Sequence, residues 1–184
     1  GGVRDTGRSG TAVALETEAE LIRLAGAAGV PVPPVRHVLT EEDGIGQGFV
    51  MDRIPGETLA RKILRDEEFA EARPKLARQC GEVIARLHKI DKATLPQLRV
   101  ATGKDEVEQY FQTYKQLDYP HPVFELAFRW LRDNAPPDTA ELTLVHGDFR
   151  NGSLMLGPDG LRAVLDCELS HVGDPMSAHT WIWQ

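Results

Sequence analysis

Two aspartates stand out chemically in this sequence. Asp148 follows the apolar pair Leu144 and Val145 and then His146-Gly147, while Asp166 follows Ala163, Val164 and Leu165. Each carboxylate thus sits just past a short strand, where the backbone holds it and a cleft can reach it. A pair placed this way suits phosphoryl transfer. One aspartate accepts the proton of an attacking hydroxyl, and the other holds the metal that bridges the phosphates. Between them, Leu154 to Leu156, the Gly157-Pro158-Asp159-Gly160 turn and Leu161 to Leu165 read as a tight β-hairpin, because Pro-Asp-Gly supplies turn chemistry. A hairpin this short brings both carboxylates into one site. A two-metal phosphoesterase built on Gly147-Asp148 is a poor fit, since no Asp-x-His or Asn-His pair supplies the extra ligands.

The elements that must position these residues follow from periodicity. Over 14–28, Leu15, Leu21, Ile22, Leu24 and Ala25 recur at helical spacing, with Glu16, Glu18 and Glu20 early in the segment. Gly29 and the Pro31 to Pro34 run stop that helix and start a strand over 35–39. A turn at Glu41 to Gly44 returns the chain into a second strand over 48–54, which ends at Pro55-Gly56. Beyond that connector helices dominate: 58–64, a long one over 69–90 with its stripe of Leu76, Cys80, Val83, Ile84, Leu87 and Ile90, then 105–117 and 123–134. A strand over 142–145 precedes the hairpin. The fold class is therefore α+β.

The balance of 41% hydrophobic and 27% charged residues over 184 residues is that of a domain with a genuine core. A formal charge of −7 argues against a nucleic-acid partner. No run of 18 apolar residues is present to cross a membrane, and the polar first ten residues give no expectation of a secretory leader. Cys80 and Cys167 lie far apart in apolar stretches without a CxxC, which reads as reduced core thiols in a cytoplasmic protein. His37 and His88 read as surface or packing residues and His171 as a loop brace. The sequence carries no signal for an oligomeric state.

The string Val145 to Gly152, with Leu165, Asp166, Cys167, Glu168 and on to Asp174-Pro175, resembles the catalytic and metal loops of the aminoglycoside phosphotransferases. It is closer still to the branch related to the kinase-like domain joined to some acyl-CoA dehydrogenases. Gly29 to Pro33, Phe49 to Gly56 and Ala85 to His88 extend the likeness over roughly 14–178. The resemblance implies a protein-kinase-like bilobal fold, with an incomplete small lobe over 1–55 and a helical lobe carrying the hairpin over 56–184. It implies ATP and Mg²⁺ as cofactors and a small-molecule alcohol as phosphate acceptor. Asp148 would be the catalytic base and Asp166 the metal ligand. Ser153 falls where the family has a second metal ligand, an asparagine. Phe49, Val50 and Met51 would be the hinge that meets adenine. Glu18 would pair with a nucleotide-binding cation, with Glu16 and Glu20 as competitors. Arg150 would touch acceptor or γ-phosphate, or else form an ion pair with Asp166, Glu168 or Asp174. His146 would brace the loop.

This sequence departs from the family at Ser153, at Cys167, where a bulky aromatic is usual, and in having no Gly-rich loop or strand lysine. Gly1-Gly2 is no phosphate cradle, and Arg4 is the only basic candidate near that place. With the stop at Trp181 to Gln184, these departures lead to the expectation of a fragment or a degraded gene that binds ATP poorly. The alternative reading is a non-catalytic kinase-like module that binds nucleotide or a partner.

Overall fold

The computed structural model describes residues 11–138 and 141–179. Gly1-Gly2, Arg4 and Trp181 to Gln184 lie outside the described residues. The chain opens with α1 (Leu15–Ala27), whose Ala19, Leu21, Ile22 and Ala25 are buried. Strands β1 (Val35–Val38) and β2 (Phe49–Met51) follow as an antiparallel pair. β2 is shorter than the sequence suggests, although Asp52 N–H still donates to Pro34 O at 3.0 Å. The turn between them is a 3-10 turn closed by a capping box of Thr40 and Asp43.

Helix α2 (Ala60–Arg65) leads through a 3-10 turn at Glu67–Phe69 to α3 (Arg73–His88). The long helix expected over 69–90 is thus interrupted. Pro74 lacks an N–H and fits only the first helical turn, so the regular helix begins beside it. Its stripe behaves as read, with Cys80, Val83, Ile84 and Leu87 buried. β3 (Val100–Ala101) precedes α4 (Gly103–Gln116), which starts at the Thr102–Asp105 capping box. α5 (Pro122–Asn134) packs back on α4.

β4 (Thr143–Val145) is followed by the hairpin of β5 (Leu154–Gly157) and β6 (Gly160–Val164), then by β7 (His171–Gly173). The hairpin forms its own two-stranded sheet. β7 lies between β3, to which it is parallel, and β4, to which it is antiparallel. One core joins these parts. Leu21 and Ile22 of α1, Val83 and Ile84 of α3, Val145 of β4, Phe149, and Leu154 and Val164 of the hairpin belong to a single cluster. The architecture is mixed α+β. Among the described residues no helix is long and apolar enough to cross a membrane.

Candidate active site

β4 delivers its next residue, His146, into the core. The ring is buried and Nε2 lies 2.9 Å from Leu165 O. A carbonyl can only accept, so Nε2 carries the hydrogen and Nδ1 is left as an acceptor. Nδ1 takes the backbone N–H of Asp148 at 3.3 Å. Burial pushes the His146 pKa below the usual histidine value, which keeps the ring in this neutral form. One side chain therefore ties the end of β6 to the loop that carries Asp148.

Gly147 makes that loop possible. Its φ is +83°, and a Cβ there would stand 2.1 Å from Leu169 O. Phe149 anchors the far side, fully buried and edge-on to His146 at 5.8 Å between ring centroids. Asp148 itself is 14% exposed at the side chain. Its Oδ1 accepts from Arg150 Nε at 2.7 Å and its Oδ2 from Ser153 Oγ at 3.1 Å. Ser153 is buried, and its carbonyl accepts from Leu165 N–H at 2.8 Å.

Asp166 follows β6 in the left-handed region at φ +63°, with its residue exposed. Aspartate tolerates this conformation better than most side chains. The charges of Asp148 and Asp166 both act to raise the His146 pKa against the larger effect of burial, so both carboxylates lie within electrostatic range of that ring.

The other sequence-derived positions fare differently. Arg150 pairs with Asp148, not with Asp166, Glu168 or Asp174. Glu18 is only 7% exposed, whereas Glu16 and Glu20 are exposed, so the solvated-face alternative does not hold for it. It lies near the turn after Asp166, where its charge adds to burial in pushing the Cys167 thiol up to about 12. Phe49 is half-buried, while Val50 and Met51 are exposed on β2.

Three features escaped the sequence reading. Glu57 exchanges main-chain hydrogen bonds with Leu156 at 2.8 and 2.9 Å, and Arg162 Nη1 donates to Pro55 O at 2.9 Å. The segment after β2 is thereby stitched to the hairpin that carries Asp166. Gly56 permits it, since a Cβ would meet Leu156 O at 2.6 Å. The third feature is a cleft of about 290 Å³ beside Gly147, lined by Arg99, Glu106, Gln109, Tyr110 and His171. A larger cleft of about 470 Å³ lies on α4 and α5 at Phe111, Arg129 and Arg132. It touches none of the residues above, and size alone does not locate the chemistry. Pro-Gly dipeptides hint at close approaches such as Gly56, but nothing in the sequence flags Arg99 or Glu57.

Comparison with known proteins gives the family and the fold. The phosphotransferase enzyme family model matches residues 3–183. Acyl-CoA dehydrogenase family member 11 of Gallus gallus is 33% identical over 164 residues, covering 82% of this chain and 20% of that protein. Acyl-CoA dehydrogenase family member 10 of Mus musculus is 31% identical over 175 residues, covering 91% of this chain and 16% of that protein. The chain thus spans a fifth or less of the length of these curated relatives. Among solved structures, the GDP complex of an aminoglycoside 2'-phosphotransferase mutant superposes with a TM-score of 0.72 at 18% identity, covering 91% of this chain and 59% of that one. A choline/ethanolamine kinase family protein from Mesorhizobium loti gives a TM-score of 0.61 at 19% identity, covering 91% and 53%.

Proposed function

Because the chain belongs to the phosphotransferase enzyme family and has its kinase-like fold, we propose that it moves the γ-phosphate of ATP onto a hydroxyl of a small molecule. The observation that carries this reading is the stitch between the two acidic loops. His146 holds Leu165 O with one nitrogen and the Asp148 N–H with the other, at 2.9 and 3.3 Å. A base and a metal carboxylate are thus fixed relative to one another before any ligand arrives, as positioning catalysis requires. Nucleotide use is supported by similar proteins solved with GDP, ADP and ATP.

Asp148 takes the proton of the acceptor hydroxyl. Its Oδ2 is oriented by Ser153, which leaves Oδ1 and its Arg150 partner on the open side. Arg150, half-exposed, can exchange that carboxylate for a phosphate oxygen, to which its guanidinium is equally suited. Phe49, Val50 and Met51 offer backbone groups to the adenine. Glu18 lies buried beneath the turn after Asp166. Residues 1–55 then form the nucleotide side and 56–184 the catalytic side.

Among the described residues no group of three or more His, Cys, Asp or Glu could cage a metal. That fits Mg²⁺, which keeps several waters and takes one or two protein oxygens together with substrate phosphates. The exposed carboxylate of Asp166 would hold the ion. Ser153 would be a second ligand, since it gives its hydrogen to Asp148 and retains lone pairs. An ion held there would supply charge neutralisation of the phosphates. The two buried, unpaired cysteines support a reducing, cytoplasmic setting.

Calorimetric titration with Mg·ATP tests this reading. Asp166→Ala is expected to weaken binding at least about 10-fold, or about 1.4 kcal/mol. Ser153→Asn is expected to tighten it, because an amide oxygen reaches further than a hydroxyl. Equal affinity in all three proteins would remove the metal assignment. A second reading, a module that binds nucleotide without transferring phosphate, draws support from the occupied Oδ1 of Asp148 and from Ser153 in the asparagine position. Tight Mg·ATP binding without ADP release across a panel of alcohols would favour it.

A further inference from the structure

Two residues that line the cleft beside Gly147 each carry a buried polar atom without a hydrogen-bond partner: Arg99 Nε and His171 Nε2. Leaving such a group unmet costs about 1–3 kcal/mol, so a partner that meets both would bind with a gain. The sheet brings them together. β3 runs parallel to β7, and Val172 N–H donates to Arg99 O at 2.9 Å, which sets Arg99 beside His171.

Their polarities are opposite. His171 Nδ1 lies 3.1 Å from Leu169 O, and a carbonyl only accepts, so Nδ1 carries the ring hydrogen. The side chain is 7% exposed, and burial lowers its pKa, which keeps the ring neutral. Nε2 is therefore a bare acceptor. Arg99 Nε–H can only donate. The charge of Arg99 is already met, since its Nη1 donates to the Glu106 carboxylate and to Gln109 Oε1. Glu106 Oε1 stands 3.7 Å from His171 Nε2, beyond hydrogen-bond reach and without a proton to share. What remains is one donor and one acceptor. A hydroxyl has the matching pair of functions, an oxygen that can accept from Arg99 Nε–H and a hydrogen that can be donated to His171 Nε2.

We propose that Arg99 Nε and His171 Nε2 form a hydroxyl-recognition pair, and that the phosphate acceptor is a neutral polyol whose second hydroxyl docks there. This rests on Asp148 being the base for the first hydroxyl. A carboxylate in the same place would face Glu106 and Asp148, and it has no hydrogen to give His171 Nε2; an ammonium has no lone pair to accept from Arg99 Nε–H. The cleft and the base are neighbours, since Gly147 lines the cleft and the Tyr110 hydroxyl, raised in pKa mainly by burial, also feels Glu106 and Asp148. The pair thus selects acceptors by an oxygen distant from the reacting one.

The test is nitrogen NMR of the histidine-labelled chain without nucleotide. The probes are erythritol, myo-inositol and glucose, with ethanol, ethanolamine and glycolate as controls. His171 Nε2 is expected to resonate as an unprotonated nitrogen in the free protein. It is expected to move saturably with at least one polyol and with none of the controls. Arg99→Gln is expected to weaken that polyol about 10- to 100-fold, the worth of one hydrogen bond from a charged donor, with Mg·ATP binding unchanged. A hydrogen on Nε2 in the free protein would overturn the proposal. So would a signal that no polyol moves, which would mean the pair holds an ordered water only, or an equal response to glycolate or ethanolamine. Polyol binding without ADP release on adding Mg·ATP would instead remove Asp148 as the base and leave the pair standing.

Discussion

Around Asp148 the side chains are fixed from beneath, whereas the α4–α5 hairpin is held together from within. His146, Phe149 and Ser153 are buried, and the loop's hydrogen bonds run to β6. α5 buries none of its residues, and α4 buries only Tyr114. Its cohesion comes from ring contacts, Phe111 to Phe128 at 5.2 Å and Tyr114 to Phe124 at 5.8 Å, with the Arg132 guanidinium 3.9 Å over the Phe111 ring. Val123, Leu126 and Trp130 remain largely exposed. The contrast separates two requirements. A base at Asp148 is positioned by the core, while the α4–α5 hairpin, of which α4 helps line the cleft beside Gly147, can change without disturbing it.

Stability measurements can break this contrast. Phe149→Ala is expected to cost about 3–5 kcal/mol in chemical denaturation, because the ring is fully buried and the core cannot collapse around it. Trp130→Gln, at a residue 60% exposed, is expected to stay within about 0.5 kcal/mol. Comparable losses at both positions would mean that the hairpin is as integral as the loop.

A smaller effect sharpens the comparison. His146, His88 and His171 all have pKa values lowered by burial. Below the unfolded value near 6.5 the unfolded chain binds protons that the folded one does not. Stability is then expected to be full above about pH 6.5 and to fall as the pH drops toward the folded values, by up to about 1.4 kcal/mol per pH unit for each histidine. A flat profile from pH 7 to 5 would mean that these rings are protonated in the folded state. His146→Gln should remove part of the slope.

The sequence made the local features legible. Pro158-Asp159-Gly160 announces its hairpin, and the α3 stripe announces its buried face, because turn chemistry and periodicity are short-range. The capping box at Thr102 and Asp105 moves the start of α4 two residues earlier than its apolar pattern does. β3 and β7 were not legible. Strands of two and three residues carry no period: β7 forms on the edge of β4, and β3 on the far edge of β7. The same limit applies to partners. Arg150 finds Asp148 two residues away, and Glu18 is buried by packing that an acidic helix start gives no reason to expect. The assignment of Asp148 and Asp166 rests on motif and spacing, whereas the bracing by His146 to Leu165 depends on tertiary structure.

The decisive comparison is phosphoryl transfer and Mg·ATP affinity measured side by side in the unaltered protein and Asp148→Asn, with a polyol acceptor present. The amide keeps the shape of the carboxylate: its oxygen can accept from Arg150 Nε, and its NH2 can donate to Ser153 Oγ once that hydroxyl turns its hydrogen away, so the loop should stand. Transfer is expected to fall by about 10²–10⁴-fold, the worth of general-base assistance, with Mg·ATP affinity within a few-fold. Transfer within a few-fold of the unaltered protein would contradict Asp148 as the base.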